Sequence, residues 1–346
     1  MRLGMNISPV ISIIIPVYNA ENTIRRTLDS LSCNQYNIEI ICVNDGSKDD
    51  SKRIINERIS KDNRIRQIFQ KNGGAATARN TGINSAKGAY LMFCDADDEY
   101  DKDLLKYIIE DIDKANPDYI VFDRKTIFEK GPCFDWLKSN QRIIQDSFSW
   151  TEYLNHTLFE RKHSYVVFNK VYKASIIHNY HIMFSEELKL SEDLYFNFVY
   201  LQYAKNMIED GRAKYLQHKV ASSFTARRRP DYYFENLKVL DILSQEYSDV
   251  KEQFDDFFNH HILHAAEHAI NRVLLGRDAI NLIEKYKIIY EILQDKKFAK
   301  AYENYAAKMN SYERKKLKLL HYRLIFLYYI RYIYLPRFKR KFFQNG

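Results

Sequence analysis

At 346 residues, with 46% hydrophobic and 14% aromatic content, the chain can build one large domain plus a smaller one and is too apolar to be disordered. Its net charge of +8 sits in one place: residues 311–346 hold ten Lys or Arg against one acid, a net of +9, which leaves the first 310 residues at −1. A nucleic-acid partner argued from global charge is therefore excluded. The four cysteines, Cys33, Cys42, Cys94 and Cys133, form no C-x-x-C pair; Cys42 and Cys94 lie in apolar runs and read as buried thiols in a reducing compartment.

No apolar h-region follows Met1, so no signal peptide is expected. Residues 10–15 read as a strand stopped by Pro16, and 21–31 have helical spacing. Residues 38–43 are a second strand, closed by the turn sequence Asn44-Asp45-Gly46-Ser47. A helix over 49–59, a strand over 65–69 and a helix from Gly73-Gly74 to Ala86 follow. The apolar run 89–94 then ends in Asp95-Ala96-Asp97-Asp98. This alternation predicts an α/β fold, a mostly parallel Rossmann-like sheet with helices on both faces. Residues 101–115 read as helix, 119–122, 166–172 and 213–218 as strands, 126–149 as loop-rich and 192–204 as helix. From residue 231 onward only helix signals remain, and Pro230 in Arg227-Arg228-Arg229-Pro230 can start a helix. The expected division is a catalytic domain over 1–228 and a helical C-terminal region over 229–346.

Asp95 and Asp97 close a buried strand, where ligands of open α/β sheets gather. Two carboxylates there repel each other unless a cation lies between them, and a hard divalent ion with oxygen ligands suits. The alternative is an acidic turn in which Asp98 or Asp101 caps the next helix. The other Asp-x-Asp spacings, Asp101/Asp103 and Asp111/Asp113, fall in a polar helical stretch and read as solvated surface.

The turn after the first strand, Pro16-Val17-Tyr18-Asn19-Ala20-Glu21, has neither G-x-G-x-x-G nor G-x-x-x-x-G-K-[ST], which argues against a dehydrogenase or a P-loop enzyme. What gathers at the strand ends is Pro16, Tyr18, Asn19 and Glu21, then Asp45, then Asp95 and Asp97, with Arg79 on the helix opened by the two glycines. Asp45 could accept from a ribose or a base edge, and Arg79 could pair with a carboxylate or a diphosphate.

Four segments in this order resemble the motif series of family 2 glycosyltransferases: Ile13-Ile14-Ile15-Pro16-Val17-Tyr18-Asn19, Val43-Asn44-Asp45-Gly46-Ser47, Asn72-Gly73-Gly74-Ala75-Ala76-Thr77-Ala78-Arg79-Asn80 and Asp95-Ala96-Asp97-Asp98. The resemblance is carried by residues 10–100 and thins toward residue 225. It implies a GT-A fold, inversion at the anomeric centre, a nucleotide-sugar donor (commonly a uridine diphosphate sugar) and Mn²⁺ or Mg²⁺. By position it implies that Pro16, Tyr18, Asn19, Glu21, Asp45, Asn72, Arg79, Asp95 and Ala96 hold the donor. Asp97, with Asp95, would hold the metal.

An inverting transfer needs a base on the acceptor hydroxyl. Leu190-Ser191-Glu192-Asp193-Leu194 resembles the family's Glu-Asp segment, which implies Asp193 as base and Glu192 as its orienting partner. Read without the family, Ser191 is a good N-cap and the acids favour a helix N-terminus. Asn169-Lys170-Val171-Tyr172 also looks like a family segment; Lys170 would reach the diphosphate or the acceptor, or else lie on the surface. His218 and Arg227-Arg228-Arg229 could meet the diphosphate, or form a solvated basic run.

His264-Ala265-Ala266-Glu267-His268 matches H-x-x-E-H and offers a rival, a zinc-dependent hydrolase using His264, Glu267 and His268. A non-catalytic membrane-associated scaffold of the same fold is a further alternative. Residues 317–335 combine apolar and aromatic residues with Lys318, Arg323 and Arg331; these charges oppose spanning and favour a basic aromatic helix lying on a membrane surface, the alternative being a helix packed on the protein. The resulting expectation is a glycosyltransferase, hexosyl or N-acetylhexosaminyl, acting on a glycan or lipid-linked acceptor of a cell-surface polysaccharide. It would be cytoplasmic and peripheral on the inner face of the membrane, with no nucleic-acid partner.

Overall fold

A computed structural model describes residues 8–32, 36–128, 133–135, 141–147, 149–154, 165–219, 231–275 and 281–335. The chain divides into two compact units, Met1–Phe224 and Thr225–Gly346. The segment holding the expected boundary at 228/229 and Arg227-Arg228-Arg229 lies outside the described residues.

The first unit begins with β1 (Ile11–Val17), α1 (Ile24–Ser32), β2 (Ile38–Asn44), α2 (Ser51–Ile59), β3 (Ile65–Phe69), α3 (Ala75–Ser85) and β4 (Tyr90–Phe93). It continues with β5 (Glu99–Tyr100), α4 (Leu104–Ala115), β6 (Tyr119–Phe128), β7 (Phe134–Asp135), β8 (Arg142–Gln145), the single turn α5 (Trp150–Glu152), β9 (Lys170–Lys173), α6 (Ala174–Asn179), α7 (Glu192–Leu201) and β10 (Met207–Lys219). Its 10-stranded sheet runs β3-β2-β1-β4-β9-β6-β10-β5, with β7 on β6 and β8 on β10. The first four strands are parallel. β9 enters antiparallel between β4 and β6, while β10 is parallel to β6.

Isoleucines dominate β1 because both sheet faces are covered, and Ile11, Ile13, Ile14 and Ile15 are fully buried. Ser12 is buried among them and is satisfied, donating to Glu39 Oε1 at 2.6 Å and accepting from the Gly88 amide at 2.8 Å. Gly88 crosses so close that a Cβ would lie 2.5 Å from the Ser12 nitrogen.

Pro16 does not stop β1, which runs on to Val17 in register with β2. Pairing with β4 does end early, at Ile14↔Phe93. The Ile14 carbonyl accepts from Cys94, so residue 16 faces the same neighbour, where proline has no N–H to offer. The proline thus ends one ladder and leaves the other intact. β6 and β10 extend well beyond the stretches expected, since polar residues alternate through both and hide the strand signal. Asp111, expected on the surface, is fully buried and paired with Arg142 and Arg212.

The second unit is helical: α8 (Tyr232–Glu246), a 3-10 turn (Ser248–Phe254), α9 (Asp255–Leu275), α10 (Leu282–Gln294), α11 (Lys296–Tyr305), α12 (Ser311–His321) and α13 (Ile325–Tyr328), which passes into a π-helical turn (Tyr329–Tyr334). α9 packs against α8, α10 and α11, and its Ala265, Ala266, Ala269 and Ile270 are buried. Asn281 and Asn310 cap α10 and α12, each accepting from the amide of a glutamate three residues on. The single helix expected over 317–335 is broken. Arg323 adopts φ +59°, and the amides of Arg323 and Leu324 return to the carbonyls of Leu320 and Leu319. Those bonds satisfy the last carbonyls of α12 and turn the chain.

Candidate active site

The site forms at the carboxyl ends of β1, β2 and β4, closed by α3 and α7. The loops after β1 and β2 are stitched together. Asn19 (φ +49°) donates through its amide to Ser47 Oγ and accepts from the Lys48 amide at 2.8 Å. Glu21 accepts from the Asp50 amide, and its own amide donates to Asp49 Oδ2. Tyr18, in the loop after β1, is 51% exposed.

Asp45 is buried and organises the glycine loop. Its Oδ1 accepts from Gln70 Nε2 and the Gly73 amide and its Oδ2 from the Gly74 amide, each at 2.8 Å. Asn72 Nδ2 donates to the Asp45 carbonyl. Gly74, at φ +93°, takes a backbone conformation that a side chain would strain, and α3 starts on the next residue.

α3 carries Arg79 inward, its side chain 7% exposed. The guanidinium reaches Asp95 Oδ1 at 3.2 Å, Glu192 Oε1 at 3.1 Å and Asp193 Oδ1 at 3.2 Å, and it lies over the Phe184 ring. Burial by itself would lower its pKa; Asp193, Asp95 and Glu192 outweigh this and hold it above the usual arginine range. Phe184 is in turn stacked on Phe196 of α7, centroids 4.2 Å apart, which fixes the wall behind the arginine.

The Asp95–Asp98 turn is clamped on several sides. The Asp95 amide donates to Tyr215 Oη, and that hydroxyl donates to Asp98 Oδ2 at 2.8 Å. Asp98 Oδ1 takes the His218 amide at 2.7 Å. Thr27 donates to the Ala96 carbonyl and Arg26 to the Asp97 carbonyl. Neither Asp98 nor Asp101 caps α4 with its side chain; Asp98 is spent on β10, and Asp101 accepts from the Asp103 amide. Among the described residues, Asp95, Asp97 and Asp98 are the one group of three or more metal-type side chains whose ligand atoms converge, all within 4.8 Å.

Burial and then the charge of Asp95 raise Asp97; the same burial, with Asp95 and Asp97, pushes Asp98 up to about 8. A donor set made only of carboxylate oxygens under mutual repulsion fits a hard divalent cation such as Mg²⁺ or Mn²⁺. Lys219, at the end of β10, feels all three carboxylates while burial lowers it.

α7 opens on Glu192 and Asp193. Ser191 adopts φ +65° and makes no side-chain cap, so its N-cap reading is set aside. Asp193 Oδ2 accepts from the Val167 amide at 3.2 Å, while its carbonyl accepts from Asn197. Burial raises Asp193 to about 7; Arg79 opposes this, and Glu192 and Asp95 add to it.

The structure departs from the sequence expectation at Lys170 and adds Tyr215. Lys170 lies neither on the surface nor at the mouth of the site but is fully buried, its Nζ donating to the Val166 carbonyl and Asn169 Oδ1. Its apolar flanks, Val166-Val167-Phe168 and Val171-Tyr172, were the available signal. Tyr215, the brace of the acidic turn, carried none. His218 meets Glu99, its Nε2 lying 2.6 Å from Oε1.

The zinc alternative does not assemble. His264 and His268 stack with centroids 6.2 Å apart, and Glu267 is engaged by Lys316 and Asn271. All three residues lie on α9, and no ligand from another described element converges on them.

Residues 12–180 match the model of glycosyl transferase family 2. The chain is 32% identical over 208 residues to the uncharacterized glycosyltransferase EpsJ of Bacillus subtilis, covering 59% of this chain and 60% of that one. It is 34% identical over 203 residues to the glycosyltransferase GlyA of Streptococcus pneumoniae, covering 56% and 28% respectively. The matches thus span less than two thirds of these curated relatives. Among solved structures, S. aureus TarS residues 1–349 in complex with UDP-GlcNAc superposes with a TM-score of 0.65 at 24% identity, covering 92% of this chain and 89% of that one. The α/β unit built around Arg79 and the Asp95–Asp98 turn is therefore a family 2 glycosyltransferase domain with the GT-A fold.

Proposed function

We propose that this chain is an inverting glycosyltransferase that moves a hexosyl or N-acetylhexosaminyl group from a uridine diphosphate sugar to a hydroxyl of a glycan or lipid-linked acceptor, in cell-surface polysaccharide synthesis. The observation that carries this is the reach of Arg79, whose guanidinium lies within 3.2 Å of Asp95, Glu192 and Asp193. One buried cation thereby ties the acidic strand end to the start of α7. The UDP and UDP-GlcNAc complexes of TarS favour a uridine donor.

In this reading Tyr18 packs on the nucleobase, and Pro16, Asn19, Glu21, Asp45 and Asn72 shape the loops that receive the nucleoside. Asp95 and the Ala96 backbone line the ribose and diphosphate edge. Asp97, with Asp95, would hold Mg²⁺ or Mn²⁺, which would supply positive charge to neutralise the departing diphosphate. Asp193 accepts the proton of the acceptor hydroxyl as its oxygen forms the bond to the anomeric carbon. The bond from that carbon to the diphosphate oxygen breaks on the opposite face, so configuration inverts. Glu192 and Arg79 keep the Asp193 carboxylate facing the acceptor, and a base with a pKa near the working pH is suited to the proton transfer.

A peripheral place on the inner face of the membrane belongs to the same proposal. It is supported by the net +9 of residues 311–346 and by exposed apolar side chains at the α12–α13 corner, with Phe326 73% exposed beside Leu324 and Leu327. No described helix is long and apolar enough to cross a membrane.

The test is turnover of a panel of nucleotide sugars with and without Mn²⁺ or Mg²⁺. Asp97→Ala should abolish metal-dependent donor hydrolysis and transfer. Asp193→Asn should keep donor binding, read as thermal stabilisation by the donor, and lose transfer. Full activity in either variant refutes the role given to that residue, and turnover of no sugar by the wild-type protein refutes the reading as a whole.

A further inference from the structure

β9 carries its lysine inside the sheet. Lys170 stands opposite Val121 of β6, next to Val171, which is paired with both Met92 and Ile120, and is 1% exposed. A side chain this buried cannot touch a donor or acceptor. Its Nζ donates to the Val166 carbonyl at 2.5 Å and to Asn169 Oδ1 at 2.8 Å. Asn169 is itself anchored to β6, its Nδ2 donating to the Phe122 carbonyl while its own carbonyl accepts the Phe122 amide.

The Val166 carbonyl and the Val167 amide belong to one peptide group, and the other end of that group donates to Asp193 Oδ2 at 3.2 Å. With Arg79 on Oδ1, the carboxylate is held at both oxygens and its plane is set. A hydrogen bond on a peptide carbonyl polarises the group and strengthens its N–H as a donor, by roughly 10–30% per bond.

We propose that Lys170 is a positioning residue for Asp193, acting through the Val166–Val167 peptide clamped between them. This rests on the reading of Asp193 as the base. The lysine orients and polarises the peptide, the peptide amide fixes Oδ2, and one carboxylate edge is left toward the acceptor. The charged and titratable groups facing Asp193 are Arg79 from α3, Glu192 on its own helix, Asp95 at the end of β4, and Lys170 and Tyr172 from β9. Burial, together with Arg124, lowers the Lys170 ammonium well below the usual lysine range, and Asp193 opposes this. The lysine is held in place by its hydrogen bonds to the Val166 carbonyl and Asn169 Oδ1.

The experiment compares Lys170→Met and Lys170→Arg with wild type in the full chain. Lys170→Met is expected to lower kcat for transfer roughly 10–100-fold, the scale of a misplaced catalytic group, with donor KM unchanged. The acidic limb of its pH–rate profile should move to higher pH, because a weaker amide donor leaves the carboxylate easier to protonate. Lys170→Arg should recover part of the loss. In ¹⁵N-valine spectra the Val167 amide should shift in both Lys170→Met and Asp193→Asn.

Wild-type kcat in Lys170→Met overturns the proposal. So does a loss of kcat with the acidic limb unmoved, which is the signature of burial alone. If Lys170→Met does not fold, Lys170→Arg carries the same readouts against wild type. If the wild-type protein turns over no nucleotide sugar, the functional reading has failed and the Val167 amide decides separately: unmoved by the lysine substitution, it overturns the clamp.

Discussion

Replacing Arg79 by methionine tests the centre of the site, since the side chain keeps most of its volume and loses its charge. Three carboxylates then share a buried corner without their cation. Removing one partner of a buried ion pair costs about 3–5 kcal/mol. Asp193 and Glu192, at 17% and 22% side-chain exposure, carry most of that cost, while Asp95 at 34% is screened by solvent and adds less.

In a unit of this size the loss corresponds to a fall in Tm of about 6–20 °C at pH 8. Asp193 already titrates near 7, above the ordinary aspartate range. Its contribution to stability is therefore full at low pH and lost as pH rises through 7. Without Arg79 its pKa rises further, so between pH 8 and pH 6 the variant takes up more protons on folding than the wild type does. The deficit should narrow by about 1–2 kcal/mol over that interval. Urea unfolding followed by far-UV circular dichroism at both pH values measures it. A deficit of the same size at both pH values, or none at pH 8, refutes the argument that Arg79 holds this cluster electrostatically.

Three further outcomes are expected. The kcat/KM profile for transfer should have an acidic limb near pH 7, since Asp193 must be ionised to accept a proton; a rate flat down to pH 5 removes it as the base. Gly88→Ala would set a Cβ 2.5 Å from the Ser12 nitrogen, against backbone that cannot yield, so a loss of about 1–3 kcal/mol is expected in thermal unfolding, and unchanged stability would contradict the crossing of Gly88 over β1. Phe326→Asp with Leu327→Asp should reduce co-sedimentation with anionic vesicles while leaving donor turnover intact, and undiminished co-sedimentation removes this corner from the proposed membrane surface.

Both the fold and the edges of the site were legible in the chain before folding, for a physical reason. Each of Pro16, Asp45, Arg79 and Asp97 lies at or just beyond the end of a strand, or on the helix that follows one. Strand and helix leave short-range periodicities, and a parallel sheet brings successive strand ends to one rim. What could not be read was how distant segments meet. Arg79 and Asp193 are 114 residues apart, and Asp95 and Tyr215 are 120 apart. Their contacts depend on the antiparallel entry of β9 and on the length of β10, neither of which has a clean periodic signal.

Ser191 shows the same limit locally. Its type favours an N-cap, but its backbone is turned left-handed as the chain enters α7, whose first acids meet Arg79. The tail shows it again, where Arg323 breaks a stretch that reads as one helix.

By itself, then, the sequence determined the parallel α/β half, the helical second unit and the types of residue at the strand ends, because these follow from side-chain periodicity and turn chemistry within a few residues. Only the tertiary structure decided which charges share a space: that Asp98 is spent on Tyr215 and His218, that Lys170 is buried, and that one guanidinium joins Asp95 to Glu192 and Asp193. Charge interactions depend on distance and burial, and both are set by packing between elements far apart in the chain.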